Sequence, residues 1–110
     1  MESKFYKEIS KDRWFTLSFA EQMAHLGSEI SRANRWKDKD TLVFWRTVER
    51  ALELFYLVIK DKRWKNRLKE ISRLKELFCD AVLGAKDYKT TLADLERYFY
   101  YFNFYLNKDK

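Results

Sequence analysis

The sequence predicts an all-α fold: an antiparallel up-down-up-down four-helix bundle with a short N-terminal appendage. The chain has 110 residues with no proline and two glycines, so little interrupts long helices. Apolar residues recur at spacings of three and four along four stretches, which is the spacing of one helix face. The segments between them are short and polar, and short connections join antiparallel neighbours in a bundle. We expect residues 1–15 to form an N-terminal arm or short helix and residues 16–110 to form the bundle.

Composition limits the classes of protein to which the chain can belong. Hydrophobic residues make up 46% and charged residues 36% of the sequence, which suits one soluble core with a charged exterior. No stretch approaches the ~20 apolar residues that cross a bilayer, and we expect no signal peptide at the N-terminus. The single cysteine, Cys79, excludes an internal disulfide and fits a reducing compartment. We therefore expect a cytoplasmic protein.

The first long helix is predicted to begin at Ser18, because Ser18 and Glu21 have the spacing of a capping box. Beside its core face runs a second face of small residues, which consists of Ala20, Ala24, Gly27, Ser31 and Asn34. We expect this small-residue face to pack tightly within the bundle, with a dimerisation face as the alternative.

The next two helices have clear start signals and apolar faces. Asp40 is a favoured N-cap residue for the second helix, and Gly84 suits the left-handed cap that ends the third. The predicted core face of the second helix is Trp45, Val48, Leu52, Phe55 and Ile59, flanked by Phe44, Ala51 and Val58. The predicted core face of the third is Leu68, Ile71, Leu74, Phe78, Ala81 and Val82.

The last helix is predicted to begin near Thr91, where Thr91 and Asp94 form a variant capping box, and to end in an aromatic run. Seven of the eight residues 98–105 are aromatic. A helix in a small bundle buries a stripe only somewhat over ~100° wide, so these rings exceed what one chain can cover. We expect the surplus rings to form a homo-oligomer interface of Tyr98, Tyr100, Tyr101, Phe104 and Tyr105.

Positive charge is concentrated in the middle of the chain. The net charge is +6, and residues 32–75 hold fourteen Lys or Arg against six Asp or Glu. Two Arg-Trp-Lys triplets, 35–37 and 63–65, combine cations for phosphates with indoles that can stack on unpaired bases. The predicted RNA or DNA contacts are Arg32, Arg35, Trp36, Lys37, Lys39, Lys62, Arg63, Lys65, Arg67, Lys69 and Arg73. The alternatives are that the charge serves solubility alone and that the tryptophans are core anchors, an interpretation favoured for Trp64 and evenly balanced for Trp36.

The residues that catalysis or metal binding would need are scarce. His25 is the only histidine, whereas a carboxylate-bridged di-iron site in a bundle needs two Glu-x-x-His pairs. Glu21 shares a helix face with His25, but the two offer too few ligands for a structural zinc ion. Neither glycine lies in a phosphate-binding loop. We expect no catalytic residues, no metal and no cofactor, and hence no enzyme.

The helix layout resembles a family of small bacterial four-helix-bundle proteins. The resemblance covers residues 16–107 and rests on the segments EQMAHLGSEISRA, ERALELFYLVI and RWKNRLKEISRLKEL. The family includes proteins encoded in intervening sequences of large-subunit ribosomal RNA and the accessory variability determinant (Avd) proteins of diversity-generating retroelements. The resemblance implies a ring-like homo-oligomer, commonly a pentamer, with basic surfaces that bind nucleic acid. For the retroelement proteins it also implies association with a reverse transcriptase and its template RNA.

The competing hypothesis is a protein–protein interaction or regulatory module without nucleic-acid binding. In that case the aromatic helix docks on another protein.

Overall fold

The structure, a computed structural model, describes the backbone of residues 11–107 and the side chains of residues 12–101 and Phe104. Every regular element in this range is helical. The elements are α1 (Lys11–Trp14), α2 (Phe19–Trp36), α3 (Thr41–Lys60), a 3₁₀ helix (Lys62–Arg67), α4 (Leu68–Val82) and α5 (Leu92–Asn107). None of the helices in this range is long and apolar enough to cross a membrane.

The predicted helix starts are confirmed by their capping hydrogen bonds. Glu21 N–H donates to Ser18 Oγ (3.1 Å), and Ser18 N–H donates back to Glu21 Oε1 (2.8 Å). Val43 N–H donates to Asp40 Oδ1 at 3.1 Å. Thr91 and Asp94 exchange the equivalent pair of bonds at the start of α5. These local signals alone locate the first turns of α2, α3 and α5.

Helix α2 is the central element. It packs mainly against α3 on one side and α5 on the other, while α4 packs against α3 and makes fewer contacts with α5. The fully buried side chains include Met23, Leu26, Ile30, Phe55, Val58, Ile71, Phe78 and Phe99. Because α5 packs largely against α2, the packing between these two helices determines which aromatic rings are exposed.

The predicted core face of α3 is confirmed at Val48 and Phe55, and its predicted flanking residues Phe44, Ala51 and Val58 are buried, but the prediction is wrong at Trp45. Trp45, the first residue of that face, is 44% exposed, whereas Phe44 and Thr47 are buried. Apolar residues surround most of α3, so spacing alone allows two solutions. The observed rotation keeps Arg46, Glu49 and Glu53 exposed, an arrangement that avoids burying charge.

The predicted inward position of Leu68 is also wrong, since this side chain is 41% exposed. Residues 62–67 form a 3₁₀ helix before α4 begins at Leu68. Leu68 is the first residue of α4, one turn before the buried Ile71, and so lies at the end of the helix, where the core no longer covers it.

The end of the N-terminal segment contributes to the core. Trp14 is fully buried, and its carbonyl accepts a hydrogen bond from Gln22 Nε2 at 2.9 Å. The proposed boundary between residues 15 and 16 therefore separates Trp14 from the helices that cover it. Residues 1–10 lie outside the described part of the chain.

The α4–α5 connection is ordered by one carboxylate. Asp80 Oδ1 accepts from Asp87 N–H (3.1 Å) and Asp80 Oδ2 from Tyr88 N–H (2.9 Å). Gly84 has φ +109°, which confirms the predicted left-handed cap after α4. This loop returns the chain to the start of α5.

Candidate nucleic-acid interface

Arg63, a predicted phosphate contact, uses its guanidinium group for hydrogen bonds within the fold. Its Nε donates to Asp61 Oδ1 at 3.0 Å and its Nη2 donates to Asp61 Oδ2 at 2.6 Å. The same Nη2 donates to the carbonyl of Leu17 at 2.8 Å. The hydrogen bonds from Arg63 to Asp61 are the main reason that the pKa of Asp61 is below its usual value, and a hydrogen bond from Gln22 lowers it further. Arg63 thereby ties the α3–α4 connection to the chain just before α2.

Trp64, the next residue, also contacts the start of α2. Its Nε1 donates to Gln22 Oε1 at 2.9 Å, and its ring lies 5.1 Å from that of Phe19 between centroids. The Arg63 guanidinium carbon lies 4.4 Å from the Trp64 ring centroid. Trp64 is half-buried against the core. Its ring and its only donor are therefore both in use within the fold.

Two further arginines lie over aromatic rings at the surface. The Arg67 guanidinium carbon is 4.4 Å from the Phe19 ring centroid, and its Nη1 is 3.4 Å from Glu70 Oε1. The Arg73 guanidinium carbon is 4.9 Å from the ring centroid of Tyr88. A ring stacked on one face of a guanidinium group leaves the N–H donors at its edge, where phosphate binds.

Three lysines beside these arginines are exposed. Lys62, Lys65 and Lys69 have no ion pair within the described part of the chain. Lys62 and Lys65 lie in the 3₁₀ segment, on either side of a kink at Trp64, and Lys69 lies in the first turn of α4. We call Lys62, Lys65 and Lys69 the lysine row.

The second predicted cluster lies at the other end of α2. Arg35, Lys37 and Lys39 are exposed, and Trp36 is half-buried against the core. Arg32 Nη1 lies 3.8 Å from Glu29 Oε2. Arg63 and Arg67 contact residues at the start of α2, so the length of α2, about 25 Å, separates the two clusters. The predicted contacts form two separate surfaces.

A groove of about 500 Å³ runs between α2 and α5. Its lining residues are Ala24, Gly27, Ser28, Ser31, Arg32, Arg35, Glu96, Phe99 and Tyr100. Glu96 accepts hydrogen bonds from Ser31 Oγ and, at 2.8 Å, from Asn34 Nδ2. The small-residue face of α2 therefore faces α5 and bonds to it through Ser31 and Asn34, but the expected tight packing is absent at Ala24 and Gly27, which line an open groove.

Most of the surplus rings that the structure describes are exposed. Tyr100, Tyr101 and Phe104 are exposed by 66%, 61% and 62%, and Tyr98 by 39%. Phe99, on the core face, is 2% exposed. The side chain of Tyr105 lies outside the described residues. Residues 98–107 carry no charged side chain, so the described outer rings form an apolar surface.

The side chains with reactive or ligating groups lie apart. Burial lowers the pKa of His25, whose ring centroid is 5.9 Å from that of Trp14. Cys79 is a half-buried thiol. Across the described residues, no group of three or more His, Cys, Asp or Glu could hold a metal ion.

Four buried polar residues escape the sequence analysis. Gln22, Glu29, Thr47 and Asp61 are exposed by 5% or less. Asp61 has a local signal, because an aspartate before a helix is a favoured N-cap. Gln22 and Glu29 have none, since only tertiary packing decides that their positions are covered.

No protein-family model, curated protein or solved structure matches this chain.

Proposed function

We propose that this chain is a non-enzymatic, homo-oligomeric nucleic-acid-binding adaptor. The observation that carries the proposal is the lysine row, whose ammonium groups are exposed and lack ion pairs among the described residues. Lysine binds phosphate as a point charge and releases condensed counterions when it does so. Arg35, Lys37 and Lys39 provide a second set of cations at the opposite end of α2.

The oligomer is supported by the exposed rings of α5. Tyr100, Tyr101 and Phe104 lie within one charge-free segment, whereas 36% of the whole chain is charged. Contact with a second copy would remove these rings from water without burying a charge. Such an assembly would also present several lysine rows to one nucleic acid, which raises affinity through multivalency.

The proposal extends to the arrangement and setting of the protein. The four long helices would form an antiparallel up-down-up-down bundle, and the lone Cys79 suits the cytoplasm. If the family resemblance holds, the assembly is a pentamer and the chain is an accessory protein of a reverse transcriptase in a diversity-generating retroelement.

The test is RNA binding as a function of salt. The triple variant Lys62→Gln, Lys65→Gln, Lys69→Gln should bind more weakly than the unmodified protein. Its log–log salt slope should be smaller by about 2, at ~0.7 per lost single-strand phosphate contact. The matched control is Lys75→Gln, Lys86→Gln, Lys89→Gln, which has the same net charge and changes exposed lysines elsewhere. Equal slopes for the two variants, or no binding by the unmodified protein at low salt, would contradict the proposal.

The second candidate function is a protein–protein module, and the exposed rings also favour it. In that case Tyr101→Ala abolishes capture of a protein partner, and the lysine variants have no effect on it. Purification of a tagged chain from its native host, followed by identification of bound RNA and protein, separates the two functions.

A further inference from the structure

We propose that the α2–α5 groove holds one unpaired nucleotide, so that the protein prefers single-stranded over duplex nucleic acid. The inference rests on the proposed function and assigns it a second site, apart from the lysine row. It takes Tyr100 out of the proposed oligomer interface, which keeps Tyr98, Tyr101 and Phe104. Its basis is a juxtaposition that the sequence does not predict. Arg32 and Arg35, assigned to phosphates, line the same groove as Tyr100, assigned to an oligomer interface.

The groove has the size and shape for such a ligand. Its volume of about 500 Å³ lies within the ~300–1,000 Å³ of typical small-molecule sites. Ala24, Gly27, Ser28 and Ser31 have small side chains, which leaves the α2 wall open. Phe99, only 2% exposed, lies on the buried side of the lining.

Tyr100 supplies the stacking surface. Its side chain lines the groove and is 66% exposed, so a flat ring is available to a base. Stacking between a base and an aromatic side chain tolerates any sequence, but it requires an unpaired base. Within a duplex each base is already stacked between its neighbours, so only an unpaired base, or one at a duplex end, can stack on Tyr100.

The charges suit one phosphate. Arg35 is exposed, and its planar guanidinium group can donate two parallel hydrogen bonds to phosphate oxygens. Both oxygens of Glu96 already accept hydrogen bonds from α2 side chains. Two arginines and one glutamate leave a single net positive charge in the lining. The hydroxyl of Ser28, which also lines the groove, can donate to a sugar or phosphate oxygen.

The experiment compares a tyrosine in the groove with an exposed tyrosine outside it. Fluorescence anisotropy would measure binding to a mixed-sequence RNA of about 12 nucleotides, within the ~4–16 nucleotide range of single-strand sites, and to its duplex. We expect Tyr100→Ala to weaken single-strand binding by about 5-fold to 150-fold and to leave duplex binding unchanged. Tyr100→Phe keeps the ring and should retain binding.

Tyr56→Ala is the matched control, because Tyr56 is 56% exposed on α3, does not line the groove and has no place in the proposed oligomer interface. It should leave single-strand affinity unchanged. Arg35→Gln should lower the log–log salt slope by about 0.7, one phosphate contact, whereas Tyr100→Ala should leave the slope as it is. Circular dichroism confirms that each variant is folded.

The outcomes separate the inference from the proposed function. Equal effects of Tyr100→Ala and Tyr56→Ala, or tighter binding to duplex, would overturn the groove while lysine-dependent binding survives. If Tyr100→Ala changes the sedimentation of the protein and not its RNA affinity, a second copy occupies the groove and the inference is wrong. No RNA binding by the unmodified protein would overturn both.

Discussion

Asp61 and Glu29 are both buried carboxylates, but their surroundings differ. Asp61 is 5% exposed and accepts hydrogen bonds from Arg63 and Gln22, and its pKa is lowered. Glu29 is fully buried, and within the described part of the chain neither of its oxygens accepts a hydrogen bond. Burial raises its pKa, and the charges of Arg32 and Arg50 only oppose that effect. A buried carboxylate stabilises a fold only when donors replace its lost water.

The two Arg-Trp-Lys triplets differ in whether a carboxylate lies two residues before their arginine. Arg63 follows Asp61 by two residues, and the pair holds the second triplet against α2. The residue two before Arg35 is Ala33, which offers no carboxylate, and Arg35 is exposed beside the groove. Both arginines reach solvent, but the donors of Arg63 are bonded within the fold.

The largest expected effect is the loss of Arg63. Arg63→Ala leaves Asp61 buried without its main donors and should lower the free energy of unfolding by about 2 kcal/mol. This is less than for a fully buried pair because the Arg63 side chain is 41% exposed. Arg35→Ala, its counterpart, should change the free energy by less than ~0.5 kcal/mol. Urea unfolding followed by tryptophan fluorescence checks both, and equal losses would break the comparison.

Removing Glu29 should have the opposite sign. Glu29→Met replaces an unsatisfied buried carboxylate with an apolar side chain and should raise the free energy of unfolding by about 1–2 kcal/mol at neutral pH. Glu49→Met, at an exposed site on α3, is the control and should have little effect. A clear destabilisation by Glu29→Met in the same urea titration would mean that Arg32 and Arg50 compensate the buried charge.

The two tryptophans should differ by a smaller amount. Trp64→Phe removes the donor to Gln22 Oε1, which is then left buried without it, and should cost about 1 kcal/mol. Trp36→Phe should cost roughly half as much, because Trp36 is half-buried at the end of α2. Chemical unfolding followed by circular dichroism measures both losses. Equal losses would remove the distinction between the triplets.

The smallest signal is the dependence of stability on pH. A raised pKa means that the folded state favours protonated Glu29, so its contribution is complete below pH ~4.3 and is lost as the pH rises through the raised pKa. The contribution of Asp61 is present above pH ~3.9 and is lost as the pH falls through its lowered pKa. Unfolding from pH 3 to 7 should show Glu29→Gln gaining a few tenths of a kcal/mol per pH unit over the unmodified protein. A constant difference across this range would contradict the assigned shift.

Local chemistry explains how much of the fold could be predicted. The caps at Ser18, Asp40 and Thr91 depend on residues three positions apart, so the sequence contains all that decides them. The exposure of Trp45 on α3 was not predictable, because Trp45 and Phe44 are both apolar and only the neighbouring helices select one of them.

The candidate site was predictable in composition but not in grouping. The sequence identifies the exposed cations and rings, including Lys62, Arg35 and Tyr100. It does not show that the guanidinium donors of Arg63 are bonded to Asp61, nor that Arg35 and Tyr100 line one groove. Both facts depend on how helices distant in sequence pack together.

The hydrogen bonds of Gln22 have a consequence for the order of folding. Its side chain connects to residues 8, 39 and 42 positions away, namely Trp14, Asp61 and Trp64. Closing such long loops costs entropy that is recovered only after α3 has formed and returned to α2. The connections centred on Gln22 should therefore form after the rate-limiting step, where they slow unfolding and leave the rate of folding almost unaffected.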